Sequence, residues 1–345
     1  MTPGERPLIC FGLLAYNQEP FIREAVKGAL AQTYAPLEII LSDDCSTDRT
    51  FEIMQETVAD YCGLHSVVLN RTPRNTGTVV AHINQVMQLV RGKLVVIAAG
   101  DDVSIPERTE ICYQAWGDSG RRSASIWSEY LPIDESGNGV GGGVLRSDGD
   151  APACFEHLPA SAIKVAAWRA EVAFGCTQAW SAEIFRVFGP LPPIPGLVNE
   201  DSPIFFRAAL LAGQATRINT PLVRYRQHSG NCSLTLRAGG ETKANKPNWT
   251  LAMRQRELRR QMAVAKCYWQ DTRRALKLGL IDSDDADRLA REVARSYRGF
   301  QLRAHLLEAS KATRLKLIWK FAKLGRARRF VLSELSLALR SAVRS

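Results

Sequence analysis

The chain has 345 residues, 46% hydrophobic and 23% charged, so it can bury a large core as one or two globular domains. No apolar run approaches the roughly 18 residues of a membrane span, and the N-terminus lacks the features of a secretory signal. The eight cysteines contain no C-x-x-C pair, which argues against a zinc site or a disulfide framework and favours a reducing cytoplasm.

The net charge of +10 is divided unevenly along the chain. Residues 241–345 contain 25 Lys and Arg against 10 Asp and Glu, whereas residues 1–240 contain 20 and 25. The first part is therefore net acidic and the second strongly basic. This division predicts an acidic partner for the C-terminal part, such as an anionic membrane or nucleic acid, and not a basic active site.

In the first 100 residues, apolar runs typical of buried strands alternate with stretches of helical periodicity. Strands are predicted over 8–15, 37–42, 67–69 and 94–97, with helices over 21–32, 49–61 and 76–90 between them. This order predicts a Rossmann-like α/β fold, with a mainly parallel sheet and helices on both faces.

Polar residues follow three of these strands at their carboxyl ends, which is the edge where an open α/β sheet binds ligands. Tyr16 and Asn17 follow the first strand, Asp43 the second, and Asp101 with Asp102 the fourth. Adjacent carboxylates repel one another unless donors or a cation neutralise them, and a divalent cation carrying a diphosphate would do so. The pair therefore indicates either a metal and diphosphate site or an exposed turn.

The second half predicts a strand over 126–130, a Gly-rich hairpin or mobile loop over 134–150, and an apolar helix over 203–211. Glu200 and Asp201 precede that helix. Acids at a helix N-terminus are stabilised by its dipole, whereas a general base must remove a proton from a hydroxyl, so both roles are open.

From residue 243 the composition is helical, with a helix predicted over 286–300 behind an acidic cap. Residues 311–329 contain eight Lys and Arg and no acid, and apolar and basic residues separate onto two helical faces. This pattern predicts either an interfacial helix on anionic lipid or a helix packed on the catalytic domain with a solvated basic face.

Four motifs, taken together in their order and spacing, resemble the nucleotide-binding half of family 2 glycosyltransferases of the bacterial cell-surface polysaccharide type. They are Ala15-Tyr16-Asn17-Gln18-Glu19, the run from Leu41 to Asp48, Asn75-Thr76-Gly77, and Gly100-Asp101-Asp102. The resemblance covers about the first 110 residues. It implies the GT-A fold, a nucleotide-diphospho-sugar donor with UDP favoured, and inversion at the anomeric carbon.

The resemblance also implies roles for individual residues. Tyr16 would stack on the base, Asp43 would accept a hydrogen bond from it, and Asp201 would be the catalytic base. Mn²⁺ or Mg²⁺ would be held by Asp101 and Asp102, with His228 as a further ligand or a phosphate contact. Many relatives have Asp where Ala99 stands, which leaves open which of the two acids is the main ligand. The other donor-binding positions implied are Ala15, Asn17, Glu19, Asn75, Gly77, Gly175 and Glu200, together with Asp101.

The sequence thus predicts a metal-dependent inverting glycosyltransferase that moves one sugar to an acceptor hydroxyl in surface polysaccharide or glycolipid assembly. A GT-A catalytic domain is expected over 1–240, with a nucleotide-binding half (1–110) and an acceptor half (111–240), followed by a basic helical region over 241–345. No Q-x-x-R-W motif follows, which argues against a processive synthase.

The expected partners are a UDP-sugar, a glycan or lipid-linked acceptor, and the inner face of the cytoplasmic membrane through 311–329, with no nucleic acid. One alternative is a sugar-1-phosphate nucleotidyltransferase, which would need a Gly-rich phosphate loop after the first strand. Another is a non-catalytic, membrane-docked binding module.

Overall fold

The computed structural model describes residues 6–140, 153–159, 161–166, 175–231 and 251–309. The strands in these ranges are β1 (Ile9–Ala15), β2 (Leu37–Asp43), β3 (Ser66–Arg71), β4 (Leu94–Ala99), β5 (Val103–Ser104), β6 (Ser125–Ile133), β7 (Phe155–Pro159), β8 (Gln178–Ser181) and β9 (Gln214–Arg226). The helices are α1 (Ile22–Leu30), α2 (Thr50–Val58), α3 (Val79–Leu89), α4 (Arg108–Asp118), α5 (Ala162–Ala166), α6 (Glu183–Phe188), α7 (Asp201–Ala212), α8 (Leu251–Lys277) and α9 (Ser283–Glu308). A 3₁₀ turn, Gly175–Thr177, precedes β8.

One sheet runs through the described part of the chain in the order β3-β2-β1-β4-β8-β6-β9-β5, and β7 pairs with β9. The first four strands are all parallel. Strand β8 is antiparallel to both β4 and β6, and β6 is parallel to β9. The predicted α/β class is confirmed, and β8 is the strand that joins the two halves.

The alternation of side chains in β1 explains why helices cover both faces of the sheet. Ile9, Phe11 and Leu13 pack with residues of α1, α2 and α4. Cys10, on the opposite face, packs in a second core with residues of α3, α7, α8 and α9. The predicted layers on both faces are therefore present.

The strand register brings the carboxyl ends of the parallel strands side by side. Ala15 at the end of β1 lies beside Asp43 at the end of β2, and Leu14 lies beside Ala99 at the end of β4. The polar residues that follow these strands are consequently gathered at one edge, as the sequence predicts.

Helices α8 and α9 share the second core with the sheet and with α7. Buried residues of α8, including Ala263, Val264 and Cys267, lie in the same cluster as Phe206 of α7. The rings of Phe206 and Tyr268 stack with their centroids 4.1 Å apart. The sequence predicts a domain boundary at residue 240, where the net charge changes sign. Helix α7 before this boundary and helices α8 and α9 after it share one hydrophobic core.

A buried ion pair fastens α8 to α7. The Arg207 guanidinium donates to both carboxylate oxygens of Asp271, at 2.9 and 3.0 Å, and also to the carbonyl oxygens of Gly189 and Pro190. Arg207 is 1% exposed and Asp271 3% exposed. Two-point pairing with further hydrogen bonds is the arrangement in which a buried charge is tolerated.

None of the described helices is long and apolar enough to cross a bilayer. The stretch 311–329 and residues 141–150 of the predicted loop lie outside the described residues. Membrane binding through 311–329 therefore stays a prediction.

Replacing Asp271 with Asn should lower the free energy of unfolding by about 3–5 kcal/mol, because it leaves the Arg207 charge buried without a counter-ion. Urea denaturation measures this quantity. Asp60→Asn, at an exposed turn after α2, is the control and should change it by less than about 0.5 kcal/mol. An unchanged stability for Asp271→Asn would show that the pair does not hold α8 in place.

Candidate active site

The loops that follow β1 and β2 are joined by hydrogen bonds between their motif residues. Asn17 Oδ1 accepts from the N–H of Thr47 at 2.9 Å, and the N–H of Asn17 donates to Ser46 Oγ at 2.8 Å. The N–H of Glu19 donates to Asp48 Oδ2 at 3.1 Å. Asn17 and Glu19, which the resemblance places at the donor, thus build the frame of the site in this structure.

Tyr16 and Asp43, the predicted base contacts, differ in accessibility. Tyr16 is 45% exposed, whereas Asp43 is fully buried. The Asp43 carboxylate accepts from the N–H of Ser46 at 3.0 Å and pairs with Arg71, with 3.3 Å between Nε and Oδ2. Asp43 therefore holds Arg71 and the loop after β2 in place, while Tyr16 presents its ring to the surface.

Asp44, for which the sequence predicted no role of its own, organises the turn that contains Asn75 and Gly77. Its carboxylate accepts from the hydroxyl of Thr72 at 3.0 Å, the N–H of Thr76 at 3.0 Å and the Asn75 amide at 3.2 Å. Gly77 has a φ of 83°, which favours glycine. The signal that could have identified Asp44 is its place directly after a buried strand.

Asp101 and His228 lie together although they are far apart in sequence. His228 Nε2 is 3.0 Å from Asp101 Oδ2, and the His228 ring packs on Phe21 with 4.7 Å between centroids. The N–H of Gly230 donates to His228 Nδ1 at 3.2 Å, so a neutral ring carries its proton on Nε2 and donates it to Asp101. The structure thus brings two of the predicted ligands into contact.

Asp102 is buried, at 3% exposure. Its Oδ1 accepts from the N–H of Arg226 at 2.9 Å. Its Oδ2 has no hydrogen-bond partner in the described part of the chain, and the Cys176 thiol lies beside the carboxyl group. Burial, and then the charge of Asp101, raise the pKa of Asp102 well above its usual range. A buried carboxylate oxygen without a hydrogen-bond donor destabilises the folded state unless a proton or a cation neutralises it.

Arg226 braces the Asp101 segment, a role that sequence reasoning missed. The Arg226 side chain is 1% exposed. Its guanidinium donates to the carbonyl oxygens of Asp101 at 3.0 Å and Glu135 at 2.8 Å, and to Glu24 Oε2 at 2.6 Å. It also lies over the Phe21 ring, 5.0 Å from the centroid. These contacts fix the backbone that carries the two acids.

The donor set suits a hard cation that arrives with its substrate. Within the described ranges, no three His, Cys, Asp or Glu side chains form a group that could hold a metal by themselves. Mg²⁺ is usually held by one or two carboxylates plus substrate phosphates, and Asp101 with the partnerless oxygen of Asp102 can supply that protein share. The residues present therefore fit a cation bound together with a diphosphate.

Glu200 and Asp201, hereafter the acid pair, begin helix α7 in close contact with Gly175. A Cβ added to Gly175 would clash with Glu200 Oε1 and would lie 2.6 Å from Asp201 Oδ1. The N–H of Gly175 donates to the Asp201 carboxylate. Only glycine allows this close approach of backbone to two carboxyl groups. Gly175 therefore packs on the acid pair, and its expected place beside the donor sugar stays a prediction.

The acid pair has the electrostatics of a shared proton. Burial raises the pKa of Glu200 well above its usual range, and the charge of Asp201 raises it further. Burial also raises the pKa of Asp201, which the hydrogen bond with Glu200, the charge of Arg260 and the N–H of Gly175 oppose. Two like charges in contact and away from water do not readily both ionise, so the acid pair is arranged to share one proton.

The turn Gly175–Thr177 links the acid pair to the acids after β4. Gly175 contacts the acid pair, and the next side chain, Cys176, lies beside Asp102. The buried Arg108 donates to the carbonyl oxygens of Cys176 and Ile97, both at 2.7 Å. One short segment therefore holds the two acidic centres in a fixed relation.

A family model described as glycosyl transferase family 2 matches residues 10–130. These residues belong to glycosyltransferase family 2. The matched range contains β1 to β4 and the acids that follow them, so the family 2 domain is the half of the fold with the parallel strands.

The chain is 42% identical over 90 residues to Rv1520 of Mycobacterium tuberculosis, covering 26% of this chain and 25% of that protein. It is 32% identical over 97 residues to the putative teichuronic acid biosynthesis glycosyltransferase TuaG of Bacillus subtilis, covering 28% of this chain and 37% of TuaG. The match thus spans a quarter to about a third of these relatives' lengths.

The crystal structure of S. aureus TarS 1–349 in complex with UDP is similar to this chain, with a TM-score of 0.53 and 13% identity. The similarity covers 90% of this chain and 78% of that one. At this identity it shows the fold, which is the GT-A arrangement expected from the sequence. It reaches beyond the family 2 domain into the second half of the chain.

Replacing Gly175 with Ala should reduce turnover of a nucleotide-sugar at least tenfold, because the new methyl group displaces the acid pair. UDP affinity should change little, since the tyrosine and aspartates at the donor edge are untouched. Initial rates and calorimetry measure the two quantities. Gly117→Ala, where a Cβ meets open space, is the matched control. Equal loss in both variants would contradict this role of Gly175.

Proposed function

We propose that this protein is a metal-dependent, inverting glycosyltransferase that moves one sugar from a nucleotide-diphospho-sugar to an acceptor hydroxyl. The observation that carries the proposal is that one turn, Gly175–Thr177, contacts two acidic centres, of which one follows β4 in the family 2 domain and the other begins α7. One centre, Asp101 with Asp102, suits a cation and a diphosphate. The other, the acid pair capped by Gly175, suits a base.

The donor side is proposed to use the sheet edge. Tyr16 offers an exposed aromatic face on which a base can stack. Asp101 and Asp102 would hold Mn²⁺ or Mg²⁺, which would neutralise the charge of the leaving diphosphate, and His228 would orient Asp101 and contact the phosphates. A UDP-sugar is favoured because the structurally similar TarS chain is described in complex with UDP.

The acceptor side is proposed to use Asp201 as general base. The acceptor oxygen attacks the anomeric carbon while the bond from that carbon to the diphosphate breaks. The electron pair of that bond leaves with the diphosphate, and the hydroxyl proton passes to Asp201. Burial raises the pKa of the Asp201 carboxyl group, and a raised pKa makes its carboxylate a stronger base for this step.

The product is proposed to belong to surface polysaccharide or glycolipid assembly, because the name of TuaG refers to teichuronic acid biosynthesis. The nucleotidyltransferase alternative is not favoured. The backbone N–H groups of Asn17, Gln18 and Glu19 all donate to side chains in the loop after β2 or at the first residue of α2. None of these three N–H groups is therefore free to bind a phosphate. The intact acid pair argues against a non-catalytic module.

Binding of UDP should depend on a divalent cation, because its diphosphate otherwise meets Asp101 and Asp102 without compensation. Asp101→Asn should weaken binding in Mn²⁺ at least tenfold, or about 1.4 kcal/mol. Calorimetric titration with UDP measures both effects, with Asp60→Asn as the surface control. Equal affinity in Mn²⁺ and in EDTA would contradict the metal site.

Asp201→Asn should lower the rate of UDP release from a UDP-sugar by roughly 100- to 10,000-fold, which is the rate enhancement that a general base usually provides. UDP affinity should stay near that of the unaltered chain, because the base acts on the acceptor. Glu200→Gln is the isosteric control, since its amide N–H can replace the carboxyl proton, and it should lose less than tenfold. The reverse order of losses would assign the base to Glu200.

A further inference from the structure

Helices α8 and α9 run side by side in opposite directions and form a hairpin. The Gln255 amide donates to Glu308 Oε1 at 3.4 Å near one end, and Lys266 Nζ lies 6.0 Å from the centroid of the Tyr297 ring further along. The buried residues that face the second core include Val264, Tyr268 and Ala275 of α8 and Leu289 and Val293 of α9. The opposite sides of both helices therefore form one outward surface.

Two rows of exposed cations lie on this outward surface. A spacing of seven residues returns an α-helix to nearly the same side, and both rows follow that spacing, with one further residue a turn later on α8. We call these residues the basic face: Arg259, Lys266, Arg273 and Lys277 of α8, with Arg291 and Arg298 of α9. Within the described ranges none of the six forms a salt bridge, whereas Arg260, Arg288 and Arg295 each do.

The acids on this surface do not balance the basic face. Asp284 and Asp287 are exposed at the start of α9 and stand against six cations. Asp282 caps the same helix, since its Oδ1 accepts from the N–H of Asp285 at 2.8 Å. A surface that holds unpaired charges of one sign attracts a partner of the opposite sign.

Exposed apolar side chains border the basic face. Trp269 is 43% exposed and Leu276 is 42% exposed, and both are helical neighbours of Arg273, at four and three residues from it. Leu278 and Leu280 are exposed in the turn that joins the two helices. Tryptophan and leucine beside lysine and arginine are typical of surface helices that lie on an anionic membrane. A soluble polyanion would compensate the charges but would leave the apolar row in water.

We propose that the basic face docks on the surface of an anionic phospholipid membrane, with Trp269 and Leu276 entering the headgroup layer. This surface is separate from the stretch 311–329 and from the sheet edge proposed for the donor. Helix α8 also packs on α7, where the Tyr268 hydroxyl donates to the carbonyl oxygen of Ser202 at 3.3 Å. The docked helix would therefore also be the one that packs on the element carrying the acid pair. The inference goes beyond the proposed function and does not depend on it.

Flotation of the full chain with vesicles tests the docking. The chain should bind vesicles of phosphatidylcholine and phosphatidylglycerol in equal parts, should not bind phosphatidylcholine alone, and should be released by high salt. The triple variant Lys266→Gln, Arg273→Gln and Lys277→Gln should bind the mixed vesicles more weakly by about tenfold or more, because each basic residue near the surface adds to the attraction. All three side chains are exposed, so the fold should be kept, which circular dichroism checks.

A matched control removes the same number of charges elsewhere. Lys27, Lys93 and Lys164 are exposed lysines outside the hairpin. The triple variant Lys27→Gln, Lys93→Gln and Lys164→Gln should leave vesicle binding nearly unchanged. An equal loss in both triple variants would show that only the net charge of the chain matters, and would overturn the basic face.

Fluorescence quenching by brominated phosphatidylcholine in the mixed vesicles tests the apolar part of the contact. Quenching reports tryptophan that enters the lipid, and the chain has seven tryptophans, so the comparison is with Trp269→Phe. The unaltered chain should be quenched, and Trp269→Phe should lose most of that quenching while it still binds.

The outcomes are separable, and no nucleotide-sugar is present, so they are independent of sugar transfer. Absence of binding to either vesicle, or equal binding to both, overturns the inference. Undiminished binding of the hairpin variant also overturns it and assigns the contact to another segment, such as 311–329. Loss of binding in the hairpin variant without quenching of Trp269 overturns the lipid contact and assigns the basic face to a soluble polyanion.

Discussion

Two adjacent carboxyl groups, the buried Glu200 and the half-buried Asp201, lie together at the start of α7, and residues outside this helix contact them. Burial of two like charges is unfavourable unless one is neutralised and the other is compensated. A proton shared by the acid pair would meet the first need. The N–H of Gly175 and the charge of Arg260 meet the second, and both come from outside α7.

This constraint connects the two halves of the fold. The turn that carries Gly175 also carries Cys176, which lies beside Asp102 and is anchored by Arg108. The same turn therefore contacts the acid pair through Gly175 and the acids after β4 through Cys176. The buried Arg207–Asp271 pair holds α8 against α7, so the charge-rich helical region packs on the element that carries the acid pair.

Some of this architecture follows from sequence patterns and some does not. The parallel strands and the acids at their ends follow from local periodicity, and four motifs in order predict the family. The difference in exposure between Tyr16 and Asp43 cannot be predicted from sequence patterns, because it depends on how the loop after β2 folds over the Asp43 carboxylate. The contact of Gly175 with the acid pair and the place of Arg260 depend on packing between segments far apart in the chain, which periodicity does not encode. The antiparallel return of β8 escapes prediction for the same reason.

The central claim is that a single base, Asp201, serves one in-line displacement at the anomeric carbon. Proton NMR of the sugar first released from a UDP-α-sugar, with water as acceptor, tests it most directly, because inversion and retention give different anomers before mutarotation. A single inverting displacement predicts that the β-anomer is released first by the unaltered chain and that Asp201→Asn releases almost none. Release of the α-anomer first would require two displacements and a covalent intermediate, and would contradict the account.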